Sequence, residues 1–540
     1  MKRENTPEKS PFELPGCAEQ FIAAVVRKMR YRKRVRLEVR EELTSHFEDE
    51  LRDCTSGEER EQRGRRLVEE FGDAGLIGVL CRRAKKRCRP LWAKALIRSA
   101  QALGVFVLYA FICSLPMTLG KPTIRVNYVE WLNDRWRPAA ADAMNAKPLY
   151  DQAAKACVQA PQSLKDKVTR GGAFERSTVE WFSGYSKEEK EALKRWLGEN
   201  QSAFDTLRKA SRMADYWPAY DASVGDPTAA MGDAMQVLSG YRQVIVALRE
   251  QIAWEASEGR IEEALDDCFV LRRFGRHLQG KGLLNDQLNG VASESICYDG
   301  IALILHRADV PGPLLARAQQ ELERHFDPNR QVVSLDGEMV FWYDNIQRRF
   351  TDDGHGGGHV LKQGIPFAAG DWRRNLIGIF AFQYPGRREA VAMVEDYFQE
   401  AQRWFVVPPN QWEAEVARRE CDPPKARSLL LDVVAPAYDR MSQQAWRIKT
   451  HELATIVLVA VKRYDIDTGA CPDSLDQLVE QDYLKKLPDD PYGHGPLTYR
   501  RTGGGFLLYS WGPNLEDDGG RWGTDSRGEP NRRAENGDWV

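Results

Sequence analysis

No C-x-x-C pair occurs among the ten cysteines of this 540-residue chain. That removes zinc ribbons and thioredoxin-like redox motifs from consideration. Ten cysteines over such a length are also too few for a disulfide scaffold. No Walker A loop, G-x-S-x-G elbow or H-E-x-x-H pair is present, so three common routes to catalysis lack their signature. Charge of one sign is lacking too. Lys and Arg number 77 against 79 Asp and Glu, a formal net charge of −2, which gives no global attraction to nucleic acid or to an anionic surface. The length implies two to four domains. Apolar residues, at 42%, suffice for ordinary cores.

One uncharged run stands out. Ser99 to Gly120 reads SAQALGVFVLYAFICSLPMTLG, about 33 Å as a helix against roughly 30 Å of hydrocarbon. Pro116 lies near its end, where a kink costs little. Arg82, Arg83, Lys85, Lys86, Arg87, Arg89, Lys94 and Arg98 precede it, and only Lys121 and Arg125 follow closely. These features predict one transmembrane helix at 99–120. The richer basic flank puts residues 1–98 on the cytoplasmic side of an inner (cytoplasmic) membrane and 121–540 outside it, in the periplasmic or extracytoplasmic space. A cleaved signal peptide is not expected, because nearly a hundred mostly polar residues come first. Five cysteines follow the run, and Cys268 with Cys297 is a pairing the sequence leaves open.

The N-terminal part is helical in pattern. Residues 1–19 are polar with three prolines and are expected to be disordered. Val35, Val39, Leu43, Phe47 and Leu51 then recur at steps of four, an amphipathic stripe. Ser56-Gly57 interrupts, a second helix runs to Phe71, Gly72 suits a C-cap, and Asp73 can start a third helix. Arg36, Glu38, Val39, Arg40, Glu42, Leu43, His46 and Asp49, followed by Glu69, Phe71, Gly72 and Asp73, resemble the permease-prefix or HAAS-type helical domain of bacterial membrane proteins. The likeness covers about 20–83. It implies signalling or partner binding by this head rather than catalysis. His46 reads as a half-buried helix residue, since only carboxylates stand one turn away.

Residues 121–440 show helical periodicity, clearest over Met235–Glu258, Ile261–Leu278, Asn285–His306 and Leu314–Phe326. EGRIEEALDDCFVLRRFGRHL has the pattern of the second helix of a helix-turn-helix repeat, with no fixed period along the chain. An irregular or repeat-like all-α region fits. Tryptophans scattered from Trp131 to Trp446 fill gaps between irregular helices, with a sugar or peptide groove as the sharper reading. Asp352, Asp353, His355 and His359 could collect a metal. The run of three glycines among them favours a mobile surface loop.

At the C-terminal end, Leu453, Ile456, Val457, Ala460, Val461 and Tyr464 make one helical stripe. A short helix follows Cys471-Pro472-Asp473-Ser474. Asp489-Asp490-Pro491-Tyr492-Gly493 is turn chemistry, and a hairpin follows over Leu497–Arg500 and Phe506–Ser510. This order, with D-P-Y-G and L-Y-S-W-G-P, resembles the globular part of the major pseudopilin of type II secretion, the protein G-like family, over 444–540. The resemblance implies a small α+β domain and a calcium loop after L-Y-S-x-G. Calcium wants six to eight oxygens. Asn514, Asp517, Asp518 and Asp525, with Asp538 as a further candidate, could supply them. Asn514 stands where that family commonly has Asp. The pilin leader and its apolar helix do not directly precede residue 444, so polymerisation is not expected.

The expected architecture is mostly α. It comprises a helical cytoplasmic head, one transmembrane helix, an irregular or repeat-like all-α extracytoplasmic region and a pseudopilin-like α+β end. The expected function is that of a single-pass, membrane-anchored interaction or scaffold protein, linked to type II secretion or envelope organisation. It would have protein partners, no nucleic acid and no cofactor beyond calcium. Transmembrane signalling through the head, and an envelope hydrolase with its site in the helical middle, are the alternatives.

Overall fold

The computed structural model describes residues 13–87, 91–140, 144–169, 174, 181–224, 227–361, 385–419, 435–524 and 536–539. The chain divides into two compact units, Met1–Ile112 and Cys113–Val540. Most of the expected disordered stretch 1–19 lies outside the described residues.

The first unit is a four-helix head. It consists of α1 (Gly16–Lys28), α2 (Lys33–Leu51), α3 (Gly57–Phe71) and α4 (Ala74–Arg87), followed by the start of α5 (Leu91–Leu119). Its core joins Ala18, Phe21, Ile22 and Val25 of α1 to Phe47, Leu51 and Leu67. The punctuation follows the sequence. The Ser56 hydroxyl accepts from the Glu59 amide at 3.2 Å, the N-cap device that satisfies an orphan donor. Gly72 closes α3 at φ 77°, and the Asp73 carboxylate accepts from the Leu76 amide at 2.8 Å to start α4. His46 packs edge-on to the Phe71 ring.

The expected membrane span is not found. Among the described residues no helix is long and apolar enough to cross a membrane. α5 begins at Leu91 rather than at the uncharged run, so Lys94 and Arg98 sit inside the same helix. The architecture is therefore corrected to a mostly helical chain with no described single-pass segment. The opposite-sides placement of 1–98 and 121–540 rests on that span alone.

The second unit is built from helical hairpins. Short helices α6 (Tyr128–Trp136), α7 (Lys147–Ala156) and α8 (Gln162–Thr169) lead into α9 (Lys187–Glu199) and α10 (Gln201–Ser211). The long pair α11 (Pro227–Ser257) and α12 (Ile261–Leu278) follows, then α13 (Leu284–Arg307) and α14 (Gly312–Arg324). α15 (Asp336–Arg349), α16 (Arg387–Trp404) and α17 (Trp412–Arg419) precede the longest helix, α18 (Ala435–Thr468). The chain ends with α19 (Asp476–Glu480) and a two-stranded antiparallel sheet, β1 (Thr498–Thr502) and β2 (Gly505–Tyr509), with Thr498 opposite Tyr509. One apolar core cluster runs through this unit from Ala146 to Leu497. α18 packs on both α13 and α14, so the helix that opens the C-terminal α+β segment also completes the helical array.

Candidate functional site

Three hairpins, α9/α10, α11/α12 and α13/α14, define the site. α9 starts with a capping box, the Ser186 hydroxyl accepting from the Glu189 amide and the Glu189 carboxylate from the Ser186 amide. Gly259, at φ 75°, makes the tight turn between α11 and α12 that a residue with a Cβ would resist. α12 and α13 cross at a reciprocal glycine contact. A Cβ on Gly275 would lie 2.5 Å from the Gly290 carbonyl oxygen, and one on Gly290 would lie 2.6 Å from that of Gly275.

That close approach encloses a charged cluster. Glu294 of α13 accepts from Arg276 at 3.1 Å, Arg330 at 3.0 Å, Gln279 at 2.6 Å and the Tyr298 hydroxyl at 2.6 Å. Glu452 of α18 accepts from Arg272 at 2.7 Å and also bonds Arg276 and Arg330. Arg272 donates onward to the Glu321 and Leu322 carbonyls at the end of α14. Both glutamates and Arg272 are essentially inaccessible. Burial pushes the Glu294 carboxyl upward, but Arg330 and Arg276 overcome that and hold it at about 2. This cluster is a closed interior knot in which the paired charges find one another.

Beside it opens a cleft of about 980 Å³. α9, α10 and the residue after it supply Lys194, Gln201, Arg208 and Arg212. α11 and its turn supply Gln251, Trp254, Glu255 and Arg260. α12 supplies Glu263, Asp266, Asp267 and Arg273, and α14 with the residue after it supplies Arg317, Glu321, Arg324 and His325. Arg208 makes a bidentate pair with Asp267, at 2.8 and 2.7 Å. Arg317 bridges Glu262 and Asp266, and Arg273 reaches Glu321 at 3.2 Å. Among the described residues no ion pair engages Lys194, Arg212 or Glu263. Glu255 is the anomaly. Its Oε1 accepts from Gln251 at 2.6 Å, while its Oε2 is buried without a hydrogen-bond partner. Burial and the neighbouring Asp267 push this carboxyl up to about 7, with Gln251, Arg208 and Arg260 pulling the other way.

The residues marked from sequence lie elsewhere. Asn514 Nδ2 donates to Asp518 at 2.8 Å. Asp517 accepts from the Tyr509 hydroxyl and the Gly519 amide, and Asp538 from the Gly520 amide at 2.6 Å. Asn514 Oδ1 and Asp538 Oδ1 are buried without a partner, a donor set that suits a hard cation. Asp525 lies outside the described residues, and among those described no three His, Cys, Asp or Glu side chains gather as a metal group. The 351–361 segment is a hydrogen-bonded turn. Asp352 pairs with Arg125 at 3.1 Å, and Asp353 accepts from the His355 and Gly357 amides, so these four residues do not converge. Cys268 and Cys297 are buried free thiols. Trp196 is core, its indole donating to the Val158 carbonyl at 2.8 Å, and Trp254 alone of the tryptophans lines the cleft. Sequence reasoning missed the cleft because its charges come from separate helices. The one local signal was the acidic pairs Glu262-Glu263 and Asp266-Asp267 near the start of α12.

No family model, no curated protein and no solved structure matches this chain.

Proposed function

We propose that this chain is an interaction protein that seats a segment of a partner polypeptide in the cleft bordered by α9–α12 and α14. The observation that carries this reading is the unmatched polarity of the cleft. Stacked helical hairpins form concave surfaces suited to extended ligands. Here that surface leaves Lys194, Arg212 and Glu263 without ion partners among the described residues, whereas Arg272 and Arg276 in the neighbouring interior cluster each pair with a buried glutamate. The test is site-specific photocrosslinking in cells, with a benzophenone side chain at Arg212 or Gln320 in the cleft and at Arg195 on the outward side of α9. Discrete adducts from the cleft positions alone are expected. Adducts of equal yield from Arg195, or none from the cleft, would sink the reading.

A second, structural role is supported by the orphaned oxygens of Asn514 and Asp538. We propose that a calcium ion held by Asn514, Asp518 and Asp538, with Asp517 and Asp525 close in sequence, fixes the C-terminal loops. An ion that binds only the folded state stabilises by about 2.7 kcal/mol at a hundredfold excess over Kd. Calcium is therefore expected to raise Tm, and Asp538→Asn to abolish that response. A Tm unchanged between calcium and chelator would overturn it.

A further inference from the structure

The two sides of the cleft differ in charge. The α9–α10 side contributes Lys194, Arg208 and Arg212 and no lining acid. The α12 side contributes the acids Glu263, Asp266 and Asp267, but Asp266 is bound by Arg317 and Asp267 by Arg208. What remains without an ion partner among the described residues is therefore two cations on one side and one carboxylate on the other. Building on the proposed function, we infer that the segment seated in this cleft is acidic, with its carboxylates against Lys194 and Arg212 and within reach of Arg208. A nucleic acid fits less well, because its affinity comes from a run of phosphate contacts and the α12 side turns acids toward the same space.

Glu255 gives this site a diagnostic. It lies 3.9 Å from Arg208, and the other groups facing it are Gln251 on its own helix, Arg260 at the turn, and Asp267 on α12. While ionised, Glu255 competes with an incoming carboxylate for Arg208. When it takes up a proton, a negative charge leaves the floor of the site. Since burial and Asp267 hold its carboxyl at about 7, acidic ligands should bind more tightly as pH falls through neutrality. An exposed basic patch would not respond in this range, because Lys and Arg keep their charge.

The experiment is fluorescence anisotropy on the full chain with three labelled probes, a short glutamate-rich peptide, its lysine counterpart and a single-stranded RNA of similar length. The glutamate peptide is expected to bind best, and more tightly at about pH 6 than at about pH 8. The double variant Lys194→Glu with Arg212→Glu should weaken it at least about tenfold. Both positions are exposed, so an unchanged circular dichroism spectrum and Tm would exclude misfolding. Glu255→Gln should bind at the higher pH as tightly as the parent does at the lower. Equal or better binding of RNA or of the lysine peptide, or an undiminished double variant, would overturn the inference. Cleft crosslinks in cells without binding of the glutamate peptide would overturn the acidic ligand alone and leave the interaction role standing. Absent cleft crosslinks would remove both.

Discussion

The knot around Glu294 and Glu452 and the cleft beside it are made from the same kinds of charged side chain, on overlapping helices, with opposite outcomes. In the knot, Arg272, Arg276 and Arg330 surround two carboxylates that water does not reach, and the hydrogen-bonding capacity of both carboxylates is used. In the cleft, an open surface leaves cations and one buried carboxylate oxygen unmatched. Desolvated charges must be paired or they cost several kcal/mol, so pairing in the interior is what stability demands. Unmatched charge at a concave surface is tolerated because water screens it, and it stays available to a ligand.

The sharpest way to break this contrast is Glu452→Gln. It leaves buried Arg272 and the part-buried Arg276 and Arg330 against one remaining carboxylate and is expected to cost about 3–5 kcal/mol, read from urea unfolding. A change within about 0.5 kcal/mol would mean the knot contributes nothing. Gly275→Ala places a methyl 2.5 Å from the Gly290 carbonyl oxygen, and overpacking there should cost about 1–3 kcal/mol. The two buried glutamates should also show opposite pH slopes. Glu294 has a depressed carboxyl, so its stabilisation is complete above the ordinary value of 4.5 and is lost as pH falls toward about 2. Glu294→Gln should flatten that acid limb. Glu255 has a raised carboxyl, so stability falls as pH climbs from 4.5 to about 7. Glu255→Gln should remove that decline and raise Tm above neutrality. Urea midpoints across the pH range measure both, and slopes of the same sign would refute the assignment. The smallest effect on folding is expected for Lys194→Glu with Arg212→Glu, within about 0.5 kcal/mol of the parent, with the loss confined to binding.

Much of the local structure was legible. Ser56, Gly72 and Asp73 cap as their chemistry requires, because caps depend on neighbours three or four residues away. The helices around Ile261–Leu278 and the hairpin closed at Gly503-Gly504 were readable from periodicity and turn residues. The expected membrane span is not found among the described residues. The helix that contains the run starts eight residues earlier, at Leu91, and carries Lys94 and Arg98. The calcium candidates Asn514, Asp518 and Asp538 meet in one loop system, but Asp517 is engaged by Tyr509 and Gly519.

By itself the sequence determined the helical class, the head's stripe and caps, and the small C-terminal hairpin. Each of these follows from residues within a turn or two of one another. Tertiary structure alone decided which charges are spent and which are free. Glu452 is 180 residues from Arg272, and Arg208 is 59 from Asp267. No periodicity in the chain encodes such meetings. They arise where helix packing, set here by the Gly275 and Gly290 crossing, brings distant faces together and strips their water away.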